Sequence, residues 1–308
     1  MRQLRTLKMS NLCGSRSFRA DSVNEIQVKL FRELLANSCT VSPRGLPTQE
    51  LMFVGIELTN PRRRMTTLSA RRWSPKLAIG ELCWNLRGER SVDQLAFYAP
   101  RWLEFADSDR VIRGSCYGNK IFKRKNGNPS QWDNISDILR SDPDSRRAVL
   151  SFHGDDFSSR AIHSGDVACI TSMQFFIRNG RLDAIVSMRS NDVYWGLPYD
   201  IFIMTSLQEM MAETLEIELG SYFHQCGSLH FYSDKREKIS RILREPWGPS
   251  PEMKPMQGLK GRERLIACEK NFRRGSKLIE QIPSSDFWSE CCNALFEHQA
   301  HVIKNGAE

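Results

Sequence analysis

The chain predicts an α+β fold, because strand-like and helix-like segments follow one another without the regular alternation of a βαβ repeat. Two local signals anchor this reading. Asn179-Gly180 joins two runs rich in Val, Ile and Phe, Ser172 to Ile177 and Leu182 to Met188, as a two-residue hairpin. Asp200 to Leu215 is apolar and long enough for a buried helix, entered through Gly196-Leu197-Pro198.

The other elements follow in order. Val23 to Ala36 has helical spacing, with Val23, Ile26, Leu30 and Leu34 on one side. Pro43-Arg44-Gly45 marks a loop. Lys76 to Leu86 reads as a mostly buried helix ended by Gly88, and it carries an acid, Glu81. Burying that acid is expensive without a partner, so Glu81 faces a rim, pairs with an Arg, or works in a site. Arg147 to Phe152 and Leu229 to Tyr232 are strand-like, and a helix follows from about Lys235. Pro and Gly crowd Glu245 to Gly261, which divides a catalytic unit over 1–245 from a helical extension over 246–308 packed on it.

Composition sets the class. Of 308 residues, 40% are hydrophobic and 26% charged, as in an ordinary globular protein. No apolar run approaches the ~20 residues that cross a bilayer. The basic start, MRQLRTLKMSNLCGSRSFR, lacks the apolar stretch of a secretory signal, so a cytoplasmic location is expected. The nine cysteines, at 13, 39, 83, 116, 169, 226, 268, 291 and 292, are odd in number and contain no C-x-x-C pair. That pattern predicts reduced, mostly inert thiols and no metal site. The net charge of +8 favours anionic partners. Its local clusters, Arg62-Arg63-Arg64, Arg71-Arg72 and Arg146-Arg147, read individually as solvated surface.

One constellation stands apart. Cys169-Ile-Thr-Ser-Met-Gln174-Phe is followed by Met-Arg189-Ser190-Asn191-Asp192-Val, by Gly196-Leu-Pro-Tyr-Asp200, and by Gly227-Ser-Leu-His230-Phe-Tyr232, with Asp144-Ser-Arg146-Arg147 upstream. In order and spacing these motifs resemble the thymidylate synthase family over roughly Gly80 to Tyr232. The resemblance implies a mixed β-sheet packed with helices, with the sheet forming a homodimer interface. It also implies a co-substrate, 5,10-methylenetetrahydrofolate, a pyrimidine nucleoside monophosphate as the other partner, and no need for nucleic acid.

The chemistry accounts for the residue types. Carbon 5 of a pyrimidine is a poor nucleophile until a thiolate adds to carbon 6. Cys169 holds the family's nucleophile position, and Arg189 is the cation expected to lower its pKa. By resemblance Arg189 and Ser190 bind the phosphate, Arg146 and Arg147 reach it from the partner subunit, and Arg44 is a further phosphate ligand. Gln174 adds a substrate contact. His230 and Tyr232 lie two apart, so they share one strand face, and they match the pair that holds the sugar 3′-hydroxyl. Glu81 matches an acid that organises proton transfer through water, and Tyr117 a tyrosine beside the nucleophile. Trp102 and Asp192 match groups that line the one-carbon site and contact the pterin.

Three departures redirect the activity. Family members that act on uracil carry Asn at the position of Asp200; a carboxyl group instead suits cytosine, whose amino group donates and whose ring nitrogen accepts. A mismatched edge leaves buried groups unpaired, at ~1–3 kcal/mol each. The usual His after the nucleophile is Ile170, and the usual Pro before it is Ala168. Met-Arg-Ser-Asn-Asp-Val and Gly-Ser-Leu-His-x-Tyr-Ser look like the cytidylate hydroxymethylase branch, known from phages and nucleoside-antibiotic pathways. The expectation is 5-hydroxymethylation of CMP or dCMP, in which water and not hydride completes the new group. Two alternatives stand beside it: a dUMP or UMP methylase that tolerates Asp200, and a basic nucleic-acid-binding protein that has lost catalysis.

Overall fold

The computed structural model describes residues 15–124, 126–154, 164–276 and 285–305. Residues 1–14, with Cys13 and most of the basic start, lie outside the described residues. Seven strands build one sheet: β1 (Arg16–Ala20), β2 (Cys39–Val41), β3 (Thr48–Leu58), β4 (Val149–Ser151), β5 (Ile170–Arg178), β6 (Arg181–Asp192) and β7 (Glu218–Tyr232). Their order is β1-β3-β7-β6-β5-β4, with β2 paired to β3. The β1–β3 and β6–β7 pairs are parallel and the others antiparallel, so the sheet is mixed. Asn179 and Gly180 both take positive φ, 52° and 73°, as a two-residue hairpin turn requires.

The helices are α1 (Val23–Asn37), α2 (Pro75–Arg87), α3 (Asp93–Tyr98), α4 (Tyr117–Phe122), α5 (Gln131–Ser141), α6 (Leu197–Leu215), α7 (Arg236–Arg244), α8 (Gly261–Arg273) and α9 (Phe287–Asn305). α1 begins where the Ser22 hydroxyl accepts the Glu25 amide, and its predicted face of Val23, Ile26, Leu30 and Leu34 is fully buried. α2 starts at Pro75 behind a Ser74 cap and stops at Gly88, whose φ is 64°. Within α2, Gly80 lies under the Tyr98 ring; a Cβ there would come within 2.3 Å of it. α6 joins the parallel strands β6 and β7 and is buried along most of its length. None of the described helices is long and apolar enough to cross a membrane.

Several strands differ from the sequence expectation. β4 has only three residues, and β7 extends back to Glu218 from the predicted Leu229. β1 to β3 carry no clean apolar alternation, and the reason is visible in the sheet. Burial in β6 falls on Leu182, Ala184, Val186 and Met188, then changes phase to Asn191. In β7 it runs through Tyr222, His224 and Cys226, then changes to Leu229 and Phe231. β3 changes phase at Phe53, whose φ is 51°, leaving Met52 and Phe53 exposed together. Ser190 pairs with Ser228, and Ser228 with Met52, so the three phase changes line up across the sheet. A period of two carried past that line assigns every later side chain to the wrong face.

Beyond α7 the chain folds back on the body. The Met256 amide donates to the Glu209 carboxylate of α6 at 3.0 Å, and the Trp288 indole donates to the Gly258 carbonyl at 2.9 Å. Cys83 of α2, Cys268 of α8 and Cys291 and Cys292 of α9 are all buried.

Candidate active site

Cys169 lies half-buried just before β5. Its loop is fastened by Asp166, whose buried carboxylate accepts from the amides of Arg113 (2.8 Å), Gly114 and Ser115 (2.9 Å) and from the Ser115 hydroxyl. Position 114 must be glycine, because a Cβ would fall 2.3 Å from the Asp166 carbonyl oxygen. Arg189 reaches across from β6. Its guanidinium donates to the Ala168 and Val167 carbonyls at 2.9 Å each and to the Cys169 Sγ at 3.5 Å. The Tyr117 hydroxyl accepts the Ile170 amide at 3.2 Å, which sets that ring beside the nucleophile. Burial pushes the Cys169 thiol above its ordinary pKa, and the charges of Arg189 and Arg44 offset this only in part. The expected lowering is therefore not met in the free protein: desolvation outweighs the cations.

Two carboxyl groups interact beside this thiol: Asp200, whose charge acts on it, and Glu81, whose charge neighbour is Asp200. Glu81 of α2 is 8% exposed, and burial, then the charge of Asp200, push its pKa up to about 8. The Trp102 indole donates to it at 3.2 Å and opposes the rise. Asp200, in the first turn of α6, is pushed up to about 7 by burial and Asp192, against a 2.7 Å hydrogen bond from the Asn191 amide. Asp192 also rises through burial, although its Oδ1 accepts the amides of Tyr194 (2.7 Å) and Trp195 (3.0 Å). Glu81 is thus neither a rim acid nor the partner of an arginine. A half-buried thiol, two acids that titrate near neutrality and an arginine on the sulfur make a site for nucleophilic addition with proton transfer.

Comparison with known proteins fits this geometry. The sequence profile of the family described as thymidylate synthase matches residues 25–264. The chain belongs to the thymidylate synthase family. The deoxyuridylate hydroxymethyltransferase of Bacillus phage SP01 is 29% identical over 246 residues, covering 77% of this chain. The chain spans 64% of that relative's length. The solved structure of the thermostable thymidylate synthase A from Bacillus subtilis superimposes with a TM-score of 0.63 at 21% identity. That match covers 75% of this chain and 87% of the other.

On this thymidylate synthase fold the remaining expected residues divide into two groups. His230 and Tyr232 lie on one face of β7 with rings 5.6 Å apart, and His230 pairs with Asp192 of β6. Ser190 follows Arg189 on β6, and Arg44 sits on an exposed turn with φ of 54°. Arg146 and Arg147 are also exposed. Gln174 donates to the Arg146 carbonyl at 2.8 Å, five residues along β5 from Cys169, about 16 Å at strand rise. Within one chain, then, Gln174, Arg146 and Arg147 are not brought to the nucleophile.

Two arginines read as solvated charge are buried. Arg64 is fully enclosed and pairs with Glu209 of α6. Arg71 is 2% exposed, with its guanidinium 4.8 Å from the Tyr194 ring centroid and 5.4 Å from that of Trp195. It borders a cleft of about 720 Å³ that Arg72, Trp195, Lys238 and Arg241 also line. Asn191, quoted in a motif but given no role by sequence, touches Asp200 directly. No local signal marks Arg71, because the rings that enclose it, Tyr194, Trp195 and Tyr199, lie far along the chain. Among the described residues, no group of three His, Cys, Asp or Glu side chains is arranged to hold a metal ion.

Proposed function

We propose that this protein transfers a one-carbon group to carbon 5 of a cytidine monophosphate, CMP or dCMP, leaving a 5-hydroxymethyl product. The observation that carries the reading is the half-buried Asp200 carboxyl group, whose charge acts on Cys169 and Glu81, where a uracil-reading site would hold an amide. Cys169 adds as thiolate to carbon 6, with Arg189 on its sulfur, and carbon 5 becomes enolate-like. Asp200 receives the exocyclic amino group of the base, and Glu81, held near neutrality, moves protons through water. Arg189, Ser190 and Arg44 bind the phosphate, and His230 and Tyr232 hold the sugar hydroxyl. Arg147 and Ser190 keep thymidylate-synthase-like identities around the phosphate, which leans towards deoxyribose.

The site residues fit a folate: Trp102 offers a flat indole braced on Glu81, and Asp192 a half-buried carboxyl suited to pterin N–H donors. Methylenetetrahydrofolate, when bound, supplies the carbon, and water completes the hydroxymethyl group. A homodimer joined through the sheet is supported by the exposed Met52 (53%) and Phe53 (64%) on β3. In such a dimer Arg146 and Arg147 serve the partner's phosphate site. A cytoplasmic, membrane-free enzyme accords with all of this.

A second reading, hydroxymethylation of dUMP, is favoured by the phage relative's name and by one property of Asp200. With a pKa of about 7 it is part-protonated, and a carboxylic acid offers a donor and an acceptor as an amide does. The test is hydrogen release from tritiated carbon 5 of dCMP, CMP, dUMP and UMP with methylenetetrahydrofolate, recording product mass and dihydrofolate. The expected result is release from a cytidylate with a hydroxymethyl product and no dihydrofolate, abolished in Cys169→Ala by on the order of 10⁴-fold. Release confined to uridylates overturns the cytidylate assignment, and dihydrofolate formation overturns hydroxymethylation.

A further inference from the structure

We propose that Asn191 is a positioning residue that holds the Asp200 carboxyl group in the orientation that selects an amino-bearing pyrimidine. The inference rests on the reading that Asp200 faces the base. Asn191 is 3% exposed, and its Nδ2 donates to Asp200 Oδ2 at 2.7 Å. Its Oδ1 is buried with no hydrogen-bond partner, a costly state for an amide unless something engages it. It reaches this position only because the phase of β6 changes after Met188; simple alternation would turn Ser190 inward in its place. Gly196 completes the arrangement. A Cβ there would lie 3.2 Å from Asp200 Oδ2 and 3.3 Å from Asn191 Nδ2, so glycine keeps the contact uncrowded.

The consequence for recognition follows from donor and acceptor counts. With Oδ2 engaged by the Asn191 amide, Asp200 presents Oδ1 as an acceptor, which suits an exocyclic amino group. Freed of Asn191, the acid form can offer O–H and C=O together, a pair that fits a uracil edge as well as a cytosine edge, so the preference for the amino-bearing base is lost. The groups facing Asp200 are Glu81 from α2, Asp192 from β6, Cys169 ahead of β5, Tyr117 from α4, and Tyr222 and Cys226 from β7. Four of these are acids or thiols that oppose a second negative charge, and the Asn191 amide is the donor that favours it.

The protein and its Asn191→Ala and Asn191→Ser variants would be assayed for kcat and KM on a cytidylate and a uridylate from pH 5.5 to 9. Asp200→Asn serves as the reference for base choice. The expected result is a fall of about tenfold in the cytidylate-to-uridylate ratio of kcat/KM for Asn191→Ala. The Asp200-dependent limb of the pH profile moves to higher pH, because a donor to the carboxylate is lost, and a smaller change appears for Asn191→Ser. An equal loss on both bases with an unmoved pH profile would make Asn191 merely structural and overturn the inference. If Asp200→Asn also leaves base preference unchanged, the assignment of Asp200 to the base fails, and with it the premise. If Asp200→Asn alone shifts it, only the role of Asn191 fails.

Discussion

Asp200 and Glu209 lie nine residues apart on α6, the first half-buried and the second buried, yet their surroundings differ in sign. Burial pushes Glu209 up, but Arg64 and Arg62 outweigh it, and the carboxylate ends below its ordinary range. Arg62 donates to it at 2.7 Å and the Met256 amide at 3.0 Å. Asp200 has one amide donor and the nearby acids Asp192 and Glu81, and it ends near neutrality. The same helix thus carries one carboxylate solved for stability and one left unsolved for chemistry. A site that must give and take protons cannot be neutralised by a fixed cation. The linkage signs are opposite as well. Glu209 contributes stability above its unfolded pKa that is lost as pH falls; Asp200 and Glu81 contribute stability at low pH that is lost as pH rises through about 7 and 8.

The largest effect comes from breaking the satisfied end. Arg64→Met removes a fully buried partner of Glu209 and is expected to cost about 3–5 kcal/mol in chemical denaturation. Adding Glu209→Gln to it regains part of that loss. A single variant as stable as the parent would mean Arg62 and Met256 suffice for Glu209.

A middle-sized effect sharpens the other end. Glu81→Gln cannot ionise, so its thermal midpoint should exceed the parent's at pH 9 and converge with it at pH 5. The gap corresponds to on the order of 2 kcal/mol, at about 2–4 °C for each. Turnover falls in the same variant. A midpoint difference that stays flat with pH would show that Glu81 is already charged at neutrality.

The contrast also marks what the sequence could report. Cys169, Arg189, Asp200 and His230 were legible because their spacing is a one-dimensional property that the fold preserves. The Lys76 to Leu86 helix and the Asn179-Gly180 turn were legible because caps and turn residues act locally. Arg64 and Arg71 were not. Each stands in a run of arginines, and the Glu209 and Tyr194 that enclose them lie more than a hundred residues away. Asn191 was hidden by the phase change in β6, and β3 by the same disturbance at Phe53. Arg146, Arg147 and Gln174 were legible as residues but not as neighbours of Cys169, because one chain does not bring them there.

The smallest effect concerns the nucleophile. Since Arg189 only offsets the burial of Cys169, Arg189→Ala should raise the thiol's pKa further and slow iodoacetamide alkylation at pH 8 by about three- to tenfold. Faster alkylation in the variant would mean that the guanidinium shields the sulfur more than it activates it.

The Asp166 carboxylate gathers three successive backbone amides, those of Arg113, Gly114 and Ser115, under the loop that carries Cys169. Those amides can meet solvent only when the carboxylate lets go, and that event unseats the nucleophile's loop as well. Their hydrogen-exchange rates therefore keep time for the opening of the active-site floor, separately from the breathing of the sheet. A substrate that binds above this floor meets the 166–169 segment already fastened, and its affinity is spared the entropy of ordering that segment.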